Sequence, residues 1–254
     1  MEVNHDFKTV ATLLLKSKKT VAFTGAGISV ESGIPPFRGN GGIWNQYDPK
    51  ILELDFFMQN PHHCWPLIKT LFYDFFDDKQ PNAAHRILAR WEKEQLLTVV
   101  ITQNIDHLHH LAGSKNVVEF HGTSQRLVCL ECDFFTEDTP GYLLKLPPTC
   151  PNCRSVLKPD FVFFGEGIPR EAYVRSMEAM ADTQLLLIIG TSGEVSPANQ
   201  LPYIAKRNGA AIVEINPEPS NYTNALTDFY LQGKAGEILL ELDRMIHHEQ
   251  QLQQ

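Results

Sequence analysis

The chain has 254 residues, enough for one α/β domain with a small inserted module. Its composition is that of an ordinary globular protein, with no apolar run near the roughly 20 residues that span a bilayer and no signal-peptide pattern at the N-terminus. A net charge of −8 argues against nucleic-acid binding, which normally uses a basic patch. We also expect a cytoplasmic protein without membrane partners.

The first third of the chain predicts a helix, a strand and a helical insertion. Apolar residues recur with helical spacing over residues 7–16, and Thr20–Thr24 follows as a short buried strand. The strand runs into Gly25-Ala26-Gly27, a turn of the kind that approaches a pyrophosphate in Rossmann-like folds. These glycines alone are equally compatible with a simple tight turn, because the full G-x-G-x-x-G pattern is absent. The aromatic-rich residues 39–78 predict a helical insertion whose rings mostly form a core, although some are suited to line a hydrophobic channel.

Further strands are predicted after a helix over residues 82–94, and each ends at polar residues or glycine. The predicted strands are residues 97–102, 117–120, 185–189 and 211–215. The segments that follow them are Gln103-Asn104-Ile105-Asp106, His121-Gly122, Gly190-Thr191-Ser192 and Asn216. Alternating strands and helices favour a largely parallel sheet, and ligands bind at the carboxyl edge of such sheets. The sequence therefore predicts an α/β fold with a Rossmann-like parallel sheet and a site at that edge.

Four of the five cysteines form two C-x-x-C pairs, which are separated by residues 133–149. This spacing is typical of a zinc ion held by four thiolates, and such a site has no open coordination position for catalysis. We therefore predict one structural zinc ion, whose chelation unfolds the surrounding module. The predicted ligands are Cys129, Cys132, Cys150 and Cys153. The fifth cysteine, Cys64, lies in the aromatic stretch and is predicted to be a packed thiol.

One histidine of the ten, His121, follows an apolar strand and precedes a glycine. Its near-neutral intrinsic pKa suits proton abstraction at physiological pH. Six others come in adjacent pairs that predict nothing sharper than solvated side chains. These pairs are His62/His63, His109/His110 and His247/His248.

Several blocks of the chain, taken together, resemble the signature of the sirtuin family. These blocks are residues 25–39 (GAGISVESGIPPFRG), 102–109 (TQNIDHLH), 120–122 (FHG), the two cysteine pairs, 158–166 (KPDFVFFGE), and 190–192 (GTS) with Val195 and Pro197. The resemblance implies a single catalytic domain with a cleft that NAD and an acyl-lysine peptide enter from opposite sides. Its parts would be a Rossmann-like core (about 1–38, 82–125 and 158–245), a helical module (about 39–81) and a small zinc-binding module (about 126–157).

The resemblance also assigns residues to NAD. By position, Asp106 would hold the nicotinamide carboxamide, Arg38 would be a phosphate partner, and Phe37 would limit water access near the reacting ribose. Ser192 and Asn216 match contacts to the adenosine half. Without the family match, Asp106 is also a possible helix N-cap and Arg38 a surface ion pair. The full set of cofactor-binding positions is Gly25, Ala26, Val30, Phe37, Arg38, Gln103, Asn104, Ile105, Asp106, Thr191, Ser192 and Asn216.

For the chemistry, the resemblance implies NAD-dependent removal of acyl groups from protein lysines, with His121 as the catalytic base. The substrate amide oxygen would attack the nicotinamide ribose carbon, and His121 would help a ribose hydroxyl attack the resulting intermediate. Nicotinamide, free lysine and O-acyl-ADP-ribose would be released, so NAD is consumed as a co-substrate. An acylated-lysine peptide would pair as an added strand. The positions that match peptide contacts are Val162, Phe164, Gly165, Glu166 and Val195. Without the family match, residues 161–164 predict a buried strand.

Two departures from the family pattern bear on substrate choice. Relatives that favour negatively charged acyl groups carry Tyr-x-x-Arg in the helical module, whereas this chain has Tyr73 and Phe76. Asp74 lies between them, so we predict a preference for acetyl or other neutral acyl groups. The common Leu after Gly-Thr-Ser is Gly193 here, which puts the details of peptide contact in doubt.

Three other functions compete with deacylation. Mono-ADP-ribosyl transfer from NAD to protein shares the cofactor and stays open on motifs alone. A non-catalytic NAD sensor is disfavoured because the polar residues at the strand ends are all present. A hydride-transferring dehydrogenase is disfavoured because the glycine pattern is wrong.

Overall fold

A computed structural model describes residues 2–37 and 41–252 of the chain. The strands are β1 Thr20–Thr24, β2 Val99–Thr102, β3 Val117–Glu119, β4 Gly122–Cys129, β5 Phe135–Thr136, β6 Leu157–Phe161, β7 Leu185–Ile189, β8 Ala211–Asn216 and β9 Phe229–Gln232. The α-helices are α1 Glu2–Lys16, α2 Leu54–Gln59, α3 Pro61–Lys69, α4 Ala83–Lys93, α5 Leu108–Leu111, α6 Thr139–Tyr142, α7 Arg170–Ala181, α8 Leu201–Arg207 and α9 Ala235–Leu252. Within the described ranges, no helix is long and apolar enough to cross a membrane.

The main sheet has six parallel strands in the order β3-β2-β1-β7-β8-β9. This is the doubly wound order of dinucleotide-binding folds, in which the strand order reverses at one point. Here the reversal lies between β1 and β7, so the crevice opens at the carboxyl ends of these two strands. The predicted parallel sheet is therefore confirmed.

Helices cover both faces of this sheet, which explains the apolar runs in its strands. Alternate residues of β1 point to opposite faces: Ala22 packs in a core with α1, α4 and α9, and Val21 and Phe23 pack in a second core with α7 and α8. All five residues of β7 are buried. A strand buried on both faces has no polar position to spare, so polar side chains are confined to its ends.

A second sheet is antiparallel, with the order β5-β4-β6. It shares a third core with the helical insertion, in which the aromatic residues Phe57, Trp65 and Phe72 are fully buried. The indole N–H of Trp65 donates to the backbone oxygen of Leu157 at 2.9 Å. The aromatics of the insertion are mostly core, as predicted, with Phe75 as an exposed member. Cys64 is fully buried in the same cluster, which confirms a packed thiol.

The prediction that the paired histidines are solvated is wrong for His109. Its side chain is buried, its Nε2 lies 3.0 Å from Thr24 Oγ1, and its ring contacts that of His85. The short helix α5 packs on the end of β1, and neighbouring helical residues point about 100° apart, so one member of the pair faces inward. Burial lowers the pKa of His109 well below its usual value and that of His85 to about 3.

The backbones at the ends of β1 and β7 touch. The Gly27 N–H donates to the Gly190 oxygen at 2.8 Å, and the Gly25 N–H donates to the Ile189 oxygen at 3.0 Å. A Cβ on Gly190 would lie 2.3 Å from the Ile28 nitrogen, and Gly190 has a φ of 64°. Glycine is therefore required here both by its left-handed backbone and by the close approach.

Replacing Gly190 by Ala should lower the free energy of unfolding by about 2 kcal/mol more than replacing Gly209, because overpacking of this size adds roughly 1–3 kcal/mol to the backbone strain. Gly209 is the matched control, since its φ is 93° and no atom lies within 4 Å of a Cβ built there. Urea denaturation of both variants measures the difference. Equal losses would mean that the β1–β7 approach relaxes without cost.

Candidate active site

The strand ends are joined to one another by side-chain hydrogen bonds. Gln103 Nε2 donates to Thr191 Oγ1 at 3.0 Å, and Asn104 Nδ2 donates to the Gly25 oxygen at 3.1 Å. Asn216 Nδ2 donates to the Thr191 oxygen at 3.2 Å. The structure thus brings together the predicted cofactor residues that follow β1, β2, β7 and β8, at the point where the strand order reverses.

Asp106 is buried, and each of its two carboxylate oxygens accepts one hydrogen bond. Oδ2 accepts from Ser29 Oγ at 2.6 Å, and Oδ1 accepts from the backbone N–H of Leu108 at 3.0 Å. The N-cap of α5 is His107, so the N-cap interpretation of Asp106 is wrong, and Asp106 instead accepts from the first residue of the helix at the turn before it. Burial raises the pKa of Asp106 from its usual value, and the two hydrogen bonds oppose that rise. Sequence reasoning gave Ser29 no role, although it lies in the glycine motif.

His121 follows β3 and is held in one tautomer. Its Nδ1 lies 3.0 Å from the backbone oxygen of Gln103. A carbonyl oxygen only accepts, so Nδ1 carries the proton, and the neutral ring then has an unprotonated Nε2. Burial lowers the pKa of His121 below its usual value, which favours this neutral form, while the Gln103 contact opposes the shift. The ring is therefore prepared to accept a proton.

The backbone of His121 also holds the segment that matches the peptide-binding positions. The Val162 N–H donates to the His121 oxygen at 2.8 Å. Phe161 and Phe163 are buried, whereas Phe164 is 44% exposed, so residues 161–164 alternate instead of forming the buried strand expected from the run alone. Phe164 is tied to the insertion through backbone bonds to residues 52 and 54.

Glu166 turns inward. Its Oε2 accepts from the Phe163 N–H at 2.6 Å and lies 3.0 Å from Lys158 Nζ. Lys158 is itself buried and donates to the backbone oxygens of Pro159 and Phe161. Sequence reasoning missed this lysine as a positioning residue. Lys158 is the first residue of the block 158–166 that resembles the family signature, and this position could have drawn attention to it. The burial of a charged residue, however, is rarely predictable from sequence alone.

The other predicted cofactor and peptide positions occupy the same loops. Phe37 is partly buried and stacks on Trp44 with ring centroids 5.6 Å apart. Ile105 is buried and Val30 is 46% exposed. The remaining positions are the partly buried Ala26 and Val195 and the exposed Ser192 and Gly165. Arg38 lies outside the described residues.

The structure explains why glycine stands at position 193, where sirtuins commonly have leucine. Its φ is 74°, and a Cβ there would lie 2.8 Å from two ring carbons of Tyr222. Tyr222 is fully buried, and its hydroxyl donates to the Asn199 oxygen at 3.3 Å. An aromatic side chain from a different loop therefore fills the space next to Gly193.

The four C-x-x-C cysteines converge on one point. Their sulfur atoms all lie within 4.8 Å of one another, with Cys129 and Cys153 at 3.4 Å and Cys132 and Cys150 at 3.6 Å. Zn–S bonds of about 2.3 Å place tetrahedral sulfurs about 3.8 Å apart. The four thiols therefore fit one zinc ion at the end of the small sheet, as predicted.

Loss of this zinc should disturb the helical insertion as well, because Cys129 and Cys150 share a core with Trp65. Cys132→Ser should remove the bound zinc and shift Trp65 fluorescence toward solvent-exposed wavelengths. Cys64→Ser is the control: it removes a thiol from the same core but should keep the zinc ion at the four cysteines. Metal analysis and emission spectra test this, and a zinc content in Cys132→Ser equal to that of the wild type would contradict it.

Comparison with known proteins agrees with this geometry. The family model described as Sir2 family matches residues 25–197. A "NAD-dependent protein deacylase" of Pyrococcus furiosus is 44% identical, over 92% of this chain and 95% of that protein. A crystal structure of a Sir2 homolog–NAD complex superposes with a TM-score of 0.87 at 38% identity, covering 95% of this chain and 94% of the other. A Sir2–p53 peptide–NAD⁺ structure has a TM-score of 0.86 at 33% identity, covering 97% and 99%. The chain belongs to the Sir2 family, the sirtuins.

Proposed function

We propose that this protein is an NAD-dependent protein lysine deacylase that releases nicotinamide and O-acyl-ADP-ribose. The proposal depends mainly on one observation, the two hydrogen bonds of His121. Its ring is hydrogen-bonded to Gln103, one of the predicted cofactor positions, and its backbone oxygen accepts from Val162, one of the predicted peptide positions. The deacylase name of the Pyrococcus furiosus relative supports it. The catalytic unit would be one domain made of the Rossmann-like core, the helical insertion and the zinc module. Its cytoplasmic location and lack of nucleic-acid binding stay predictions.

NAD would bind at the crevice between β1 and β7. The turn of Gly25 and Gly27 at this crevice is the element that approaches the pyrophosphate in Rossmann-like folds. Asp106, fixed by Ser29, would hold the nicotinamide carboxamide, and Asn216 would contact the adenosine half. A p53 peptide accompanies NAD⁺ in the related Sir2 structure, which supports an acylated-lysine peptide as the second substrate.

His121 would act as the general base. Its Nδ1 proton is committed to the Gln103 oxygen, so Nε2 is the atom that accepts a proton from a ribose hydroxyl. In the nearby segment, Val162 and Gly165 would hold the peptide as an added strand. Phe164, whose backbone is hydrogen-bonded to residues 52 and 54, would contribute its exposed side chain. Glu166 would support that segment through Lys158 instead of touching the peptide with its carboxylate.

The acyl group would be neutral. Tyr73 Oη is buried without a hydrogen-bond partner, and burial, with a smaller effect of Asp160, raises the Tyr73 pKa, so this hydroxyl is neutral and supplies no positive charge for a carboxylate on the acyl group. Phe76 stands where an arginine would be needed, and its ring packs on Phe72. Asp74 is less important than its position suggests, because it is paired with Lys69.

The proposed reaction is tested by mass spectrometry of an acetyl-lysine peptide incubated with NAD. The wild-type protein should remove the acetyl group and form O-acetyl-ADP-ribose, and His121→Ala should lose at least about 100-fold in rate, the lower range for a general base. His63→Ala, an exposed histidine on α3, is the control. Full activity in His121→Ala would refute the base assignment. A peptide that gains ADP-ribose would favour the transferase alternative.

The pH dependence should follow the lowered pKa of His121. The neutral ring is the active form, so kcat/KM should fall only as the pH drops through that pKa, which lies below the ordinary value of about 6.5. Initial rates between about pH 5 and 8 locate the acid limb. A fall of kcat/KM that begins at or above pH 7 would contradict the conclusion that His121 is buried and neutral.

Acyl selectivity should favour acetyl-lysine over succinyl-lysine by at least about tenfold in kcat/KM, a difference of roughly 1.4 kcal/mol. Phe76→Arg should narrow that ratio, because a guanidinium pairs with a carboxylate. Phe75→Arg, at the exposed neighbouring position, is the control and should leave the ratio unchanged. Faster cleavage of succinyl-lysine by the wild-type protein would overturn this prediction.

A further inference from the structure

A second cluster of metal-ligand side chains lies beside the active-site loops, away from the four cysteines. It consists of His107, which precedes α5, His110 within α5, and Glu119 at the end of β3. One ligand atom from each residue lies within 4.8 Å of the others. We propose that these three residues bind a divalent transition-metal ion of the zinc class, through two imidazoles and one carboxylate.

The distances favour a shared ion over direct pairing. Glu119 Oε1 lies 3.8 Å from His107 Nδ1 and 3.9 Å from His110 Nε2, both too long for hydrogen bonds. Ligands on a tetrahedral zinc ion with bonds of about 2.0–2.1 Å stand about 3.4 Å apart. The two Glu119 contacts therefore need to shorten by about half an ångström, and the distance between the two imidazole nitrogens by no more than about 1.4 Å, to close the site around an ion.

The state of the nitrogens fits the same interpretation. His107 Nδ1 is buried and has no hydrogen-bond partner, an arrangement that costs free energy unless something binds it.

The backbone and the rings hold the two histidines in place. His107 has a φ of 62°, a left-handed conformation that is uncommon for a residue with a Cβ. Its ring stacks on that of His110, with centroids 4.7 Å apart. All three side chains keep 21–32% of their surface exposed, which gives an ion access from solvent.

The ligand set also predicts the kind of site. Two histidines and one glutamate leave a position open for water, as in zinc sites of the His₂Glu type. Because His107 follows Asp106 and Glu119 lies two residues before His121, an ion would tie the loop after β2 to β3.

The test is a titration with Co²⁺ of protein that carries zinc at the four cysteines alone, followed by visible absorption. Cobalt bound by nitrogen and oxygen absorbs in the visible, whereas exchange into the cysteine site adds a sulfur charge-transfer band in the near ultraviolet. We expect one equivalent of Co²⁺ to saturate the visible band without the sulfur band. Added Zn²⁺ should then remove the visible band.

Glu119→Gln and His107→Asn should each weaken Co²⁺ binding by at least about tenfold, since even outer-shell changes cost 10–100-fold. Asparagine tolerates the left-handed backbone of position 107.

The double variant His62→Ala/His63→Ala, which removes an exposed histidine pair, is the control and should bind Co²⁺ as the wild type does. Thermal unfolding confirms that each variant is folded, and His110→Gln replaces any variant that is not. The proposal is overturned by unchanged binding in the site variants, by loss of the band in the control, or by growth of the sulfur band alone.

Discussion

The close approach of β1 and β7 is the constraint on which the rest of the structure depends. β7 is apolar and buried along its whole length, so polar side chains come only after its end, and the strand order reverses between β1 and β7. Gly27 and Gly190 allow the two backbones to hydrogen-bond at that reversal. Gln103 then reaches Thr191, and Asn104 reaches the Gly25 oxygen. A site with an exposed crevice and a buried, hydrogen-bonded floor follows from this arrangement.

Burial shifts the pKa values of the two titratable groups of the site in opposite directions. Burial disfavours charge on both Asp106 and His121, raising the pKa of the acid and lowering that of the imidazole. Ser29 and the Leu108 N–H keep Asp106 oriented with two donors. The Gln103 oxygen fixes the tautomer of His121. The site thus combines an oriented acceptor of hydrogen bonds with a neutral base.

The sequence predicted the main sheet well because continuous apolar runs ended by glycine or polar residues have one physical interpretation. The edge strand β9 and the small sheet were not predicted, since β9 and β4 mix exposed and buried positions without a clear period. The inward turn of Glu166 was also missed, because it depends on the buried Lys158, which sequence reasoning does not place. His109 was misjudged because the face of a single helical turn is set by tertiary packing on Thr24.

The central claim is that the strand-end site uses NAD to free an acylated lysine. The most direct measurement is the molar ratio of nicotinamide released to acyl groups lost from an acetyl-lysine peptide. We expect equal amounts of nicotinamide and lost acyl groups, and no nicotinamide when the peptide is omitted, because the chemistry requires both substrates at His121. Nicotinamide released in excess, or without loss of the acyl group, would contradict it.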